Sequence, residues 1–171
     1  MTWYKLLDGN GGACNGGSGQ WSLPTENADG TWTPGEWMPE VANPVLCVCG
    51  YHAVDAAHLL GCRGAALYEL EIAPDAKRTE IREGKIAVAS ARLLRRIAGW
   101  TEHNLRLLAC DYAEHVLPIY ERCYPADRRV RECIETVRRC PDDPAVWAAR
   151  AAAGAAETAW QLARLREVIG L

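Results

Sequence analysis

Ala66-Leu67-Tyr68-Glu69-Leu70-Glu71-Ile72 imposes a period of two on the middle of the chain. Its alternation places Ala66, Tyr68, Leu70 and Ile72 on one side and Leu67, Glu69 and Glu71 on the other, which predicts a strand with one wet or functional face. Towards the N-terminus, Val45-Leu46-Cys47-Val48-Cys49 is a short apolar run ended by Gly50 and reads as another strand, while Asp55 to Cys62 reads as a short helix closed by Gly64. Towards the C-terminus, Lys85 to Ala89 is expected to be a third strand. In Ser90 to Ile97, the positions of Ala91, Leu94 and Ile97 fit a short helix and a continuing strand equally well.

On either side of this α/β stretch the pattern changes. Residues 1–40 hold Gly9, Gly11, Gly12, Gly16, Gly17 and Gly19 around Cys14 and Asn15, then Trp21, Trp32 and Trp37. Glycine at that density excludes a helix. The indoles need burial and a partner for each N–H, so the segment is expected to wrap onto the next one as loops and short strands. Its only cation is Lys5, against Asp8, Glu26, Asp29, Glu36 and Glu40. The glycine run has neither a GK[ST] ending nor a strand-to-helix context, so no phosphate-binding role is assigned to it.

From Thr101 onward the spacing is helical. Leu105, Leu108, Ala109, Tyr112, Ala113, Val116 and Ile119 recur at three and four residues behind Thr101 as N-cap, with a kink or early end expected at Pro118. A second helix is expected from Asp127, burying Val130, Cys133, Ile134 and Val137, and a third from Asp143-Pro144 through the alanines to Ile169. Arg128, Arg129, Arg131, Arg138 and Arg139 form a basic stripe that interleaved glutamates turn into a solvated helix face. The fold class read from these patterns is α+β, a small Trp-rich sheet domain over residues 1–98 packed against a helical bundle over 99–171.

Composition narrows the function classes. With 171 residues, 49% hydrophobic and 24% charged, the chain is a globular protein with enough length for a core and is not disordered, collagen-like or coiled-coil. A net charge of -3 argues against broad non-specific nucleic-acid binding or an anionic-membrane surface. The start lacks the pattern of a secretory signal, and no run reaches the roughly 18 apolar residues of a membrane span. A cytoplasmic protein without a membrane partner is expected. In that compartment most of the eight cysteines read as small buried apolar residues.

Two side-chain constellations stand out. Cys47 and Cys49 share a face of the expected strand and His58 and Cys62 share a stripe of the expected helix, so a zinc site is one alternative to simple packing. Tyr51 and His52 lie at a strand end, with Glu69 and Glu71 on the outward face of the next strand. An aromatic, an imidazole and a carboxylate at one sheet edge suit a nucleotide, with Tyr51 stacking and His52, Glu69 and Glu71 as catalytic groups.

Residues 1–97 carry Cys14-Asn15-Gly16-Gly17, Trp21-Ser22-Leu23-Pro24, Gly35-Glu36-Trp37-Met38-Pro39, Cys49-Gly50-Tyr51-His52 and Leu67-Tyr68-Glu69-Leu70-Glu71. That pattern resembles an uncharacterised family of actinobacterial and phage proteins, in which a histidine stands where this chain has Asn15. Cys110-Asp111-Tyr112-Ala113-Glu114-His115-Val116-Leu117-Pro118-Ile119-Tyr120, then Pro125-Ala126-Asp127-Arg128 and the Ala-rich end, resemble the helical domain of immunity proteins found near bacterial toxin genes. This second resemblance implies an interaction role with a protein partner. A fainter likeness is to the ADP-ribosyltransferase-like fold, where Asn15-Gly16, Tyr51 and Glu69 or Glu71 would line an NAD cleft and Asn15, Tyr51 and His52 would bind the ligand. The leading expectation is an interaction protein of mobile-element or defence type with no cofactor. The alternative is a nucleotide-binding enzyme, with zinc or NAD as the alternative cofactors.

Overall fold

The computed structural model describes residues 1–14, 16–62 and 64–143. The chain is α+β and divides into two compact units, Met1–Thr101 and a second that begins at Glu102. The first unit contains β1 (Trp3–Leu7), β2 (Thr25–Glu26), β3 (Trp32–Thr33), β4 (Tyr51–Asp55), a 3-10 turn (Ala56–Gly61), β5 (Ala66–Ile72), β6 (Lys85–Val88) and β7 (Ala91–Arg96). The second contains α1 (Glu102–Cys123) and α2 (Arg129–Arg139). The third helix expected over 143–169 lies outside the described residues.

Five strands form one antiparallel sheet in the order β6-β4-β1-β5-β7, and β2 pairs with β3 in a separate ribbon. β5 has the bounds its alternation predicts. Tyr68 and Leu70 enter a core with Leu7, Trp21, Ile86, Val88 and Leu93, whereas Leu67 points to the other side, into a smaller cluster with Leu6 and Val54. Both faces of the sheet therefore carry apolar material.

One expectation for this unit is corrected and two are made definite. Trp3–Leu7, read as loop or short strand, is the central strand, bonded to β4 on one side and β5 on the other. Val45 to Cys49 is not a strand but a tight turn, with main-chain bonds in both directions between Val45 and Cys49 and Cys47 at φ 64. The strand begins only after Gly50, at Tyr51. Ser90 to Ile97 resolves as strand, and the register shift opposite Glu69 and Leu70 explains its broken pattern, because a bulge interrupts the period of two.

In the second unit, α1 starts directly after Thr101 and continues past Pro118 to Cys123. Its buried seam is Cys110, Ala113 and Leu117, which meets Val130, Ile134 and Val137 of α2. The expected seam was rotated from this one: Tyr112, Val116 and Ile119 are exposed, as is Cys133 on α2. Asp127 accepts the main-chain N–H of Arg129 at 3.0 Å, but the residue that immediately precedes α2 is Arg128. No helix among the described residues is long and apolar enough to cross a membrane.

Candidate functional site

The pairing of β1 with β4 covers only Trp3 with Asp55 and Tyr4 with Val54. Beyond those rows β1 stays with β5 as far as Leu7, and β4 stays with β6 back to Tyr51. Where the two central strands stop pairing, a cleft of about 800 Å³ opens, walled by Trp21, Tyr51, Cys14 and Gly17 of the glycine-rich loop, and the Leu46–Gly50 segment.

Lys5 stands in that parting. Its Nζ donates to the main-chain oxygen of His52 at 3.1 Å, bridging the two strands where the ladder bonds cease. The ammonium also lies 5.4 Å from the centre of the Trp21 ring, a cation–π distance. Burial holds the Lys5 pKa below its ordinary value, and the nearby Cys14 thiol offsets part of that shift. Nothing in the sequence pattern singled out Lys5. The available signal was a charge inside the otherwise apolar and aromatic run Trp3-Tyr4-Lys5-Leu6-Leu7.

Gly50-Tyr51-His52 builds one wall of the cleft. Gly50 has φ 98, and a Cβ there would come within 2.8 Å of the Pro44 Cβ and 3.1 Å of the Val88 oxygen, so the turn closes against β6 only with glycine. The Tyr51 hydroxyl donates to the Pro39 oxygen at 2.7 Å, its ring meets Trp21 edge-on at 5.2 Å, and burial raises its pKa. His52 Nε2 accepts the main-chain N–H of Cys47 at 2.7 Å, which places the proton of the neutral ring on Nδ1. Burial first, and then the Lys5 charge, lower the His52 pKa. With its Nε2 lone pair committed to Cys47, the ring fixes the left-handed turn at 47.

Glu69 and Glu71 are not brought to His52. They lie on the same face of the sheet, but β1 separates β5 from β4, a lateral offset of two strand spacings or about 9.5 Å. Glu69 is level with Tyr4 and Val54, and Glu71 lies further along still. Both carboxylates accept from arginines of β7, Glu69 from Arg95 Nε at 2.7 Å and Glu71 from Arg92 Nε at 2.6 Å. Arg92 also stacks on Trp37, 4.5 Å from the ring centre. Asn15 lies outside the described residues.

Three of the four zinc-ligand candidates make other contacts. Cys49 Sγ donates to the Asn43 oxygen at 3.1 Å and Cys62 Sγ to the His58 oxygen at 3.4 Å. His58 Nδ1 lies 2.7 Å from Asp55, whose carboxylate also accepts the His58 main-chain N–H and is held below its ordinary pKa chiefly by the histidine ring. Once Val45 to Cys49 folds as a turn, Cys47 and Cys49 no longer share a strand face. Among the described residues no group of three His, Cys, Asp or Glu side chains is placed to hold a metal.

Three arginines of the stripe, Arg129, Arg131 and Arg138, pair with carboxylates between and along the helices. Arg131 makes a two-pronged pair with Glu121 at 2.8 Å for each bond, and Arg138 binds Glu114 and Asp111, the shortest contacts being 2.5 and 2.7 Å. Arg129 and Tyr120 both bond Asp127. The outer side of α1 is different: Tyr112, Val116 and Ile119, at successive intervals of four and three residues, are 50%, 52% and 58% exposed.

Residues 95–167 match the family model of the Imm-5 like putative immunity protein. The match begins at the end of β7 and takes in all of α1 and α2. The immunity-like segment therefore contains the exposed α1 stripe, and the cleft lies upstream of it. No curated protein and no solved structure matches the chain.

Proposed function

We propose that the chain is a partner-binding protein of the defence or mobile-element type, acting in the cytoplasm, whose immunity-like segment recognises a protein through the outer face of α1. The observation that carries this reading is the stripe of Tyr112, Val116 and Ile119, three large side chains at least half exposed on one helix face. A tyrosine flanked by aliphatic groups is the composition of an interface centre, and a continuous apolar stripe is unusual for a surface with no partner. Exposed polar side chains beside it on the helix, His115 and Arg122, would form the polar rim.

The test is growth rescue by coexpression with a toxin encoded beside the gene of this chain. Wild type is expected to restore growth, and Val116→Asp or Ile119→Asp to abolish rescue while leaving the helical circular-dichroism signal intact. Rescue by both variants at the wild-type level would overturn the assignment of the α1 face.

A further inference from the structure

Lys5 differs from the arginines that hold the surface together. Arg92, Arg95, Arg106, Arg129, Arg131 and Arg138 each face a carboxylate. Among the described residues no Asp or Glu pairs with Lys5, whose ammonium bonds one carbonyl oxygen and lies near one indole face and the Cys14 sulfur. An ammonium has three donors, and one is used here. A half-buried cation with spare donors on an open cleft is under-satisfied, and an anion entering from solvent would complete it.

We propose that the cleft between β1 and β4 binds a small organic monoanion, a carboxylate on an apolar or aromatic body, with the carboxylate on Lys5 Nζ and the body against Tyr51 and the Leu46–Gly50 segment. The volume of about 800 Å³ lies within the range of small-molecule sites. The charge class follows from the cations present. Lys5 is the one at depth, His52 presents a neutral ring with Nε2 already occupied, and Lys85 is an exposed residue at the rim. A phosphate dianion would find one ammonium where it needs two positive charges, whereas a carboxylate is matched by Lys5 alone. The proposal is independent of the α1 stripe, so its failure would leave the partner-binding reading standing.

The experiment is a titration of the full ¹⁵N-labelled chain with benzoate, benzamide and inorganic phosphate, followed by amide shifts. Benzoate is expected to move resonances of the glycine-rich loop and of Leu46 to His52, saturably, with benzamide and phosphate at least about tenfold weaker, the factor expected for a hydrogen bond to a charged group. Lys5→Gln keeps a donor for the His52 oxygen but removes the charge, and should weaken benzoate by a similar factor. Should that variant fail to fold, the benzamide comparison on wild type carries the test alone. Benzamide binding as tightly as benzoate, phosphate binding as tightly as benzoate, or benzoate leaving the cleft resonances unmoved would each overturn the proposal.

Discussion

The two units reach stability by different routes. The sheet unit buries ten residues in one cluster, including Leu7, Val88 and Leu93, and bonds such as Cys47 to His52 and Tyr51 to Pro39 fix loops to strands. The helical unit buries four residues in its described cluster and surrounds them with arginine–carboxylate pairs. Apolar burial is insensitive to salt and pH, while exposed ion pairs are weak singly and respond to both. The sheet unit should therefore behave as a rigid frame, and the helical unit as the part whose stability follows solution conditions.

The largest separation is expected in core truncation. Leu93→Ala, at a fully buried position, should cost about 2–5 kcal/mol in the sheet unit, and Leu117→Ala should fall at the lower end of that range because its cluster among the described residues holds four buried side chains against ten. Urea titration followed by hydrogen exchange in each unit checks this, and equal costs would remove the distinction. Gly50→Ala comes next. It forces a side chain into the left-handed region and against Pro44 and Val88, for roughly 1–3 kcal/mol, read in the same way on β4 and β6 amides.

The smallest effects are electrostatic and are concentrated in the helices. Hydrogen bonds from Arg138 and Arg131 hold Glu114 and Glu121 below their ordinary pKa, and those from Arg129 and Tyr120 do the same for Asp127. A depressed carboxyl stabilises the fold fully above the unfolded-state value, 4.5 for glutamate and 3.8 for aspartate, and that contribution disappears as the pH falls through the lowered value. Hydrogen-exchange protection in α1 and α2, relative to the intrinsic rate at each pH, should fall below about pH 4.5, and also in high salt at neutral pH, before that of β5 and β7. Simultaneous loosening of both units would contradict the comparison.

What could be read in advance follows the same division. β5 was legible because its glutamates mark one face clearly. β1 was hidden because Leu6 and Leu7 bury on opposite faces and Lys5 stands between apolar neighbours, so no alternation appears. The Val45–Cys49 run looked like a strand by composition alone; Gly50 and the His52–Cys47 bond make it a turn that leaves Val48 largely exposed. On α1, apolar side chains occupy more than one face, and spacing cannot say which face meets α2. In the site, Tyr51 and His52 do border a cleft as their position suggested. The charged side chain next to them is Lys5, bonded to the His52 main-chain oxygen, and not the glutamates, because strand order decides which residues are neighbours and a single strand pattern carries no strand order.

The claim most exposed to test is that His52 is a fixed neutral acceptor organising the cleft wall. Long-range ¹H–¹⁵N correlation of the histidine rings should show His52 with its proton on Nδ1 and a midpoint below the ordinary 6.5, with the Cys47 amide resonance lost from its native position as that midpoint is crossed on acidification. A ring protonated on Nε2 when neutral, or a midpoint at or above 6.5 with the Cys47 amide unaffected, would contradict the account.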